Sequence, residues 1–502
     1  MLPVRNRGLL TVGVMGAMIM QILDTTIANV ALPHMQTSLS ATGETVTWVL
    51  TSYIVASAIA IPATGWLSDR LGSRNLFLFA VGGFIIASML CGTAISLEEM
   101  VLFRVAQGVF AAFIGPLSQT AMLDINPPER AAKAMSVWGM GVMVGPIMGP
   151  VIGGWLTESY NWRWVFYVNL PVGLLTFAIL WFLLPSRPKK VRSFDYTGFA
   201  MISIAVASFQ LMLDRGQHDD WFSSWEIVIE ALVAAAALWM AIVHLATADK
   251  PLFDRAIFKN RNLVMGMIFM VVIGISTMAP MALLPSMLQQ LFGYPVVDTG
   301  LMLAPRGVGV LLTMFLAGQM MGKVDTRLVI VVGLIIFAYS LYQMSTWSLE
   351  MDFWPVIISG FVQGLGMGLV FMPLNSLAFA TLSHHHRTDG ASLLNLFRNV
   401  GQSAGISMVT VLLARNIQTS HADLASHVTA QTIPSLDLST VDRFGALSDS
   451  VFSYADAMIN RQAAMIAYID DFYLMAWISI AVLPLVFFLK KPQGKVEAVL
   501  AE

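Results

Sequence analysis

The segment GWLSDRLGSR, residues 65–74, connects two long apolar runs through a short charged turn. Glycine adopts backbone angles that other residues avoid, so the two glycines of this segment permit a tight turn between helices. Its aspartate and arginines are expected to form a charged cluster at the helix ends, and an ordinary solvated loop is the alternative. The pattern favours a cluster that gates a conformational change, with candidates Gly65, Asp69, Arg70, Gly72 and Arg74.

The apolar runs continue along the whole chain and indicate a membrane protein. Of 502 residues, 57% are hydrophobic and 12% are charged, whereas a soluble domain has roughly 25% charged residues. The first apolar run is longer than the roughly 7–15 residues of a signal peptide, so it is expected to remain as a span. A span needs about 20 apolar residues. Fourteen spans are predicted, at 8–32, 46–67, 76–96, 99–123, 134–157, 163–184, 196–214, 224–247, 262–291, 299–321, 327–347, 355–381, 389–413 and 471–490.

The distribution of Lys and Arg predicts how the spans are oriented. With the first segment placed in the cytoplasm, 20 of the 28 basic residues fall in cytoplasmic segments and only five fall outside. Cytoplasmic loops of membrane proteins carry this excess. We therefore expect both termini in the cytoplasm. The polar segment 414–470 is then a long periplasmic loop, part of which has helical spacing and is expected to lie along the membrane surface.

Weak internal similarity predicts two copies of a six-helix unit. AQG at 106–108 recurs as VQG at 362–364, and glycines of span five recur in span thirteen at a similar offset. The predicted organisation is a first half at 1–190, two inserted spans at 191–258, and a second half at 259–502. Parallel halves with a substrate site between them are a known transporter plan.

Charged and polar residues inside the spans mark the candidate transport site. Asp24 and Arg104 are predicted at comparable depth in spans one and four, where a charge normally faces a partner or a wet cavity. Their repeat counterparts are Ser276 and Gly360, so the coupling chemistry is expected in the first half. A purely structural ion pair is the alternative. The polar residues expected to line a substrate cavity are Gln21, Thr25, Asn29, Gln107, Gln363, Asn395 and Arg398.

Span five contains WGMGVMVGPIMGPVIGGWL, residues 138–156, in which glycine recurs every fourth residue. Glycines at this spacing allow another helix to approach closely, and prolines remove backbone donors and bend a helix. A simple packing motif is the alternative to a role in conformational change. The gating candidates here are Gly141, Gly145, Pro146, Gly149, Pro150 and Gly153.

These motifs together resemble the major facilitator superfamily. The loop at 65–74 is similar to its signature loop, and the span-five run is similar to the antiporter motif of its drug exporters. LDTTIANVALP at 23–33, NWRWVFYVNLPVG at 161–173 and FDYTG at 194–198 resemble the fourteen-helix drug:proton antiporters, in particular the EmrB type. The resemblance implies an all-α major facilitator fold in a bacterial inner membrane. It also implies a periplasmic adaptor and an outer-membrane channel as partners.

The predicted function is export of hydrophobic or amphipathic drugs, driven by the proton gradient without a cofactor, with Asp24 as the main protonation site. An importer or symporter of a small organic solute is the alternative on the same fold, and the span-five run argues against it. An enzyme or ATP-driven pump is disfavoured, since no phosphate-binding loop or hydrolase motif is present in the sequence. The adjacent histidines 384–386 are not expected to bind a metal, and nothing suggests nucleic acid as a partner.

Overall fold

The computed structural model describes residues 4–42, 45–127, 130–187, 189, 192–216, 219, 221–321, 323–427 and 446–489. Over these residues the chain folds into long α-helices and forms no β-strand. Thirteen helices in this described part of the chain are long and apolar enough to cross a membrane. One further long and less apolar helix, Arg387–His427, brings the number to the fourteen that the sequence predicts.

The fourteen helices are labelled α1 to α14 in chain order. Their bounds are Arg7–Ser38, Thr45–Leu71, Ser73–Thr93, Leu97–Ile125, Ala131–Ser159, Trp164–Leu183, Tyr196–Arg215, Trp225–Thr247, Arg261–Gln290, Val296–Met320, Thr326–Met344, Trp354–Ala380, Arg387–His427 and Ala446–Ala481. Between α2 and α3 the turn consists of Gly72 alone, whose φ of 91° requires glycine. The tight turn expected from GWLSDRLGSR is therefore present.

The helices before and after the inserted pair have the same neighbours. In the first set, α1 packs against α4, α5 and α6, and α3 packs against α4 and α6. In the second set, α9 packs against α12, α13 and α14, and α11 packs against α12 and α14. This is the pairing expected of two copies of one unit. The sets meet where α5 contacts α10 and where α13 contacts α2 and α4.

The inserted pair, α7 and α8, lies beside one junction between these sets. α7 contacts both α2 and α13, and Gln210 donates to Ser403 Oγ of α13 at 2.6 Å. Thr51 of α2 donates to Asp214 of α7. α8 instead exposes a broad apolar surface, including Leu232 and Trp239. A helix with this surface faces lipid, so the pair covers the junction and separates it from the bilayer.

The region predicted as the loop 414–470 is largely helical, which corrects the expectation of a separate surface helix. α13 runs without a break to His427, and α14 begins at Ala446. The two extensions contact each other through His421 Nε2 and Asp456 Oδ1, which lie 2.9 Å apart. Backbone hydrogen bonds continue in both helices beyond their apolar segments. The fall in hydropathy therefore did not mark the end of α13 or the beginning of α14. Residues 428–445 lie outside the described residues.

Charged residues from several connections meet at one end of the bundle, here called the basic end. They take part in ion pairs there and are Asp69 in the last turn of α2, Asp124 at the end of α4, Arg192 before α7 and Asp389 at the start of α13. The sequence predicts that this end faces the cytoplasm. The end that carries the α13–α14 extensions is called the opposite end.

Candidate functional site

Asp24 and Arg104 form a buried ion pair in the first half. Arg104 Nη1 lies 2.7 Å from Asp24 Oδ2, and the two side chains, Arg104 and Asp24, are 0% and 1% exposed. The guanidinium also donates through Nε to the backbone oxygen of Val49 at 2.9 Å and lies 4.3 Å above the Tyr53 ring. The predicted partnership between spans one and four is thus present in the structure. Its role in coupling stays a prediction.

The second carboxylate oxygen of Asp24 is held by two amides. Gln107 Nε2 donates to Oδ1 at 2.9 Å, and Asn169 Nδ2 donates to the same atom at 2.7 Å. Asn169 lies within α6 and also donates to Ser88 Oγ at 3.0 Å. Sequence reasoning missed Asn169, although it belongs to the quoted motif NWRWVFYVNLPVG. Arg104, Gln107 and Asn169 therefore all respond to the charge of one carboxylate.

This arrangement links the charge of Asp24 to the packing of three helices. Every hydrogen bond to Asp24 described here is donated to it, by Arg104, Gln107 and Asn169. A proton on either oxygen would weaken at least one of these bonds and leave Arg104 without its counter-charge. Protonation would therefore change the packing of α1, α4 and α6 together.

The glycine face of α5 packs against α1, the helix that carries Asp24. A Cβ on Gly145 would lie 2.5 Å from Ile22 Cγ2, and one on Gly149 would overlap Thr26 Oγ1. Thr26 Oγ1 also donates to the Gly145 carbonyl oxygen at 3.2 Å. The close helix approach expected from the glycine spacing is present, and Gly141 and Gly153 continue the same face along α1.

A cavity of about 310 Å³ lies between the two sets of six helices. Gln21, Thr25 and Asn29 of α1 line it, as do Pro146 and Pro150 of α5. Across it stand residues of α9, α10, α12 and α13, including Arg398. Its size falls within the usual range of about 300–1,000 Å³ for small-molecule sites.

Two wider grooves open on the outer surface of the bundle among exposed apolar side chains such as Phe79 and Phe222, and face lipid.

Three residues predicted to line this cavity lie outside its lining. Gln107 binds the Asp24 carboxylate instead. Asn395 donates to Gln119 Oε1 of α4 at 3.2 Å, in a buried polar contact between the halves that also includes Asn375. Gln363 is fully buried within the second half. These amides lie on helix faces that are turned toward neighbouring helices and away from the cavity. The spacing of residues within one helix does not indicate which of its faces borders the cavity.

The basic end is closed by ion pairs that cross between the halves. Arg192 donates to Asp389 through Nη1 and Nη2, both at 3.1 Å, and its Nε lies 3.7 Å from Asp69. Burial opposes the charge of Arg192, but the Asp389 carboxylate outweighs it, so the pKa of Arg192 is raised. Gly65 packs against Asp389, since a Cβ at this position would overlap Asp389 Oδ1. We call Asp69, Arg192 and Asp389 the basic-end clamp.

The composition of this clamp corrects the predicted cluster. Arg70 stacks on the Trp66 ring, and Arg74 binds the Trp181 backbone oxygen and ring, so neither pairs with Asp69 in the structure. The cation that faces Asp69 is Arg192, which lies far along the chain, just before α7. Because Arg192 belongs to a group of basic residues before α7, the sequence indicated only that this segment faces the cytoplasm. Proximity in sequence was therefore a poor guide to the charge partner.

A two-fold repeated helical bundle with a cavity between its halves is a transporter architecture, and comparisons with known proteins agree. Residues 14–406 match the family model of the Major Facilitator Superfamily. The chain is 35% identical over 490 residues to "Multidrug export protein EmrB" of Haemophilus influenzae, covering 97% of this chain and 96% of the relative. It is 34% identical to "Fatty acid resistance protein FarB" of Neisseria gonorrhoeae, covering 95% of this chain and 94% of the relative.

A solved structure of a double-Trp mutant of XylE matches the fold with a TM-score of 0.62 at 13% identity, covering 97% of this chain and 96% of the other. The chain belongs to the Major Facilitator Superfamily. It is a multi-pass transporter of the bacterial inner membrane and not an enzyme.

Proposed function

We propose that this transporter is a proton-coupled antiporter that exports hydrophobic or amphipathic drugs. The name of the EmrB relative, a multidrug export protein, supports the export of drugs. The observation that carries the proposal is the position of the Asp24–Arg104 pair. Arg104 forms part of the cavity wall, while Asp24 is held directly behind it. A change in the charge of Asp24 would therefore change the electrostatic potential at the cavity surface that a substrate would contact.

The packing offers a route from protonation to movement. Asp24 belongs to α1, α1 is joined to α5 through the glycine face, and α5 contacts α10 of the second half. A proton that releases Arg104 would free α1 to shift, and tight packing would carry that shift to α5 and to the interface. In the proposed cycle, a proton taken up at the opposite end is exchanged for drug and delivered at the basic end.

The helical extensions of α13 and α14 supply the proposed docking site for a periplasmic adaptor. They project beyond the apolar part of the bundle and are held together by His421 and Asp456. A paired helical projection presents a rigid surface to a partner, as an EmrB-type adaptor leading to an outer-membrane channel would require. Pull-down of an adaptor by the intact chain, and its loss when the extensions are removed, would test this part.

The function as a whole is tested by transport in reconstituted vesicles. A panel of hydrophobic dyes should accumulate in vesicles that are acidic inside, and a protonophore should abolish the accumulation. Uptake that follows a dye gradient but ignores the pH gradient would contradict proton coupling. Dye moving in the same direction as protons would instead indicate the symporter alternative.

A further inference from the structure

We propose that Arg306 and Arg398 form an anion subsite in the central cavity, which binds the acidic headgroup of an amphipathic substrate. This inference rests on the proposed export function and narrows its substrate class. Both arginines line the cavity, and both come from the second half, opposite the Asp24–Arg104 pair. They are cations placed where a transported molecule would lie.

Arg306 is positioned by close packing of α10 on α12. Gly364 of α12 lies against the Arg306 backbone, where a Cβ would overlap the carbonyl oxygen. Its guanidinium makes one long hydrogen bond, from Nη2 to the Thr277 backbone oxygen at 3.3 Å. No carboxylate among the described residues forms an ion pair with Arg306. A buried guanidinium with one weak acceptor keeps several donors available.

Arg398 of α13 likewise has no carboxylate partner among the described residues and has donors to spare. Nη2 donates to Asn395 Oδ1 at 2.9 Å, whereas the buried Nε has no hydrogen-bond partner in the described structure. Asn395 is in turn fixed by Gln119, so the contact positions Arg398 without neutralising it. Leaving charged donors unsatisfied is costly inside a membrane, and an anionic ligand would satisfy them.

The charge balance of the cavity favours an anion. Its described lining contains Arg104, Arg306 and Arg398 and includes neither Asp nor Glu. Arg104 is already paired with Asp24, so two positive charges remain. A planar guanidinium binds a carboxylate through two parallel hydrogen bonds, which makes carboxylate or a similar oxyanion the expected headgroup. An organic cation would meet repulsion there.

The remaining wall suits an apolar tail. Met278, Met281 and Leu284 of α9 and Met367 and Phe371 of α12 line the same cavity. Methionine side chains adapt to ligands of different shape, while the two arginines are fixed by their helices. The subsite would thus select for headgroup charge and tolerate variation in the tail.

Equilibrium binding to the intact chain in lipid nanodiscs tests the inference, with dodecanoate, methyl dodecanoate and dodecyltrimethylammonium as matched probes. We expect the wild type to bind dodecanoate at least about tenfold more tightly than the ester, a difference of about 1.4 kcal/mol. Arg306→Gln and Arg398→Gln should reduce this preference with little change in ester binding, which also shows that the variants are folded. Arg306→Lys and Arg398→Lys should retain part of it.

The matched control is Arg415→Gln, which removes an exposed arginine further along α13 and should leave the preference unchanged. An equal preference in wild type and both Gln variants, or tighter binding of dodecyltrimethylammonium than of dodecanoate, would overturn the subsite. Ester transport driven by a pH gradient without any anion preference would refute only this inference. Anion-selective binding in a protein that shows no pH-driven transport would support it while refuting the proposed antiport.

Discussion

Breaking the basic-end clamp should open that end of the transporter. In Asp389→Asn, Arg192 loses the carboxylate to which it makes two hydrogen bonds of 3.1 Å. A hydrogen bond to a charged group contributes about 1.5–3 kcal/mol. Because the Arg192 side chain is 32% exposed, solvent screening reduces this, and we expect about 1–2 kcal/mol. The ratio of closed to open molecules should then fall by a factor of about 5–30.

Electron spin resonance distances can measure this shift. Spin labels at Lys133→Cys and Lys259→Cys would report across the halves, since both positions are exposed near the basic end. Replacing Cys91, the single native cysteine, by Ala removes background labelling. In the unsubstituted clamp we expect a short distance to dominate. Asp389→Asn should transfer population to a longer one.

Two further variants make the test specific. Asp69→Asn should act in the same direction but less strongly, because Asp69 lies 3.7 Å from Arg192 and is 31% exposed. Asp456→Asn is the control, since Asp456 pairs with His421 on the helical extensions at the opposite end. An unchanged distance distribution in Asp389→Asn would refute the clamp. A change of equal size in Asp456→Asn would show that the effect is unspecific.

The remaining predictions concern three other parts of the molecule. Gly149→Ala places a Cβ against Thr26 Oγ1 and should reduce pH-driven dye uptake at least about tenfold. In the control Gly154→Ala, the nearest atom to the new Cβ lies at 3.4 Å, so this variant should transport normally. Equal uptake by the two variants would refute the tight α1–α5 contact. Asn169→Ala removes a donor to the Asp24 carboxylate, so the contact between α6 and α1 should be less well ordered and pH-driven dye uptake should fall several-fold. Uptake at the wild-type level would separate Asn169 from coupling. Deletion of 420–450 should spare vesicle transport and weaken resistance of whole cells; retained resistance in a strain that needs the adaptor would refute docking at the extensions.

Much of the fold could be predicted because apolar length and glycine spacing are local properties. Fourteen helices, the turn at Gly72 and the glycine contact between α5 and α1 all follow from patterns within one or two segments. The continuation of α13 to His427 could not be predicted in this way, because it depends on backbone hydrogen bonds and on packing against α14, and not on hydropathy.

The site was less accessible to sequence reasoning, because its contacts join distant parts of the chain. The partnership of Asp24 and Arg104 could be predicted since two opposite charges at similar depth in a membrane require each other. Asn169 was missed because an amide carries no charge to signal its partner. Arg192 was missed because its role depends on the approach of α13 to α2, which no periodicity within a single helix reveals.

We propose that a proton on Asp24 drives transport. The most direct test compares two modes of transport in vesicles containing Asp24→Asn: accumulation driven by a pH gradient, and exchange of labelled for unlabelled dye without a gradient. We expect that accumulation is lost while exchange continues, with Asp24→Glu retaining part of the accumulation. Accumulation by Asp24→Asn at the wild-type level would contradict the assignment of Asp24 as the coupling carboxylate.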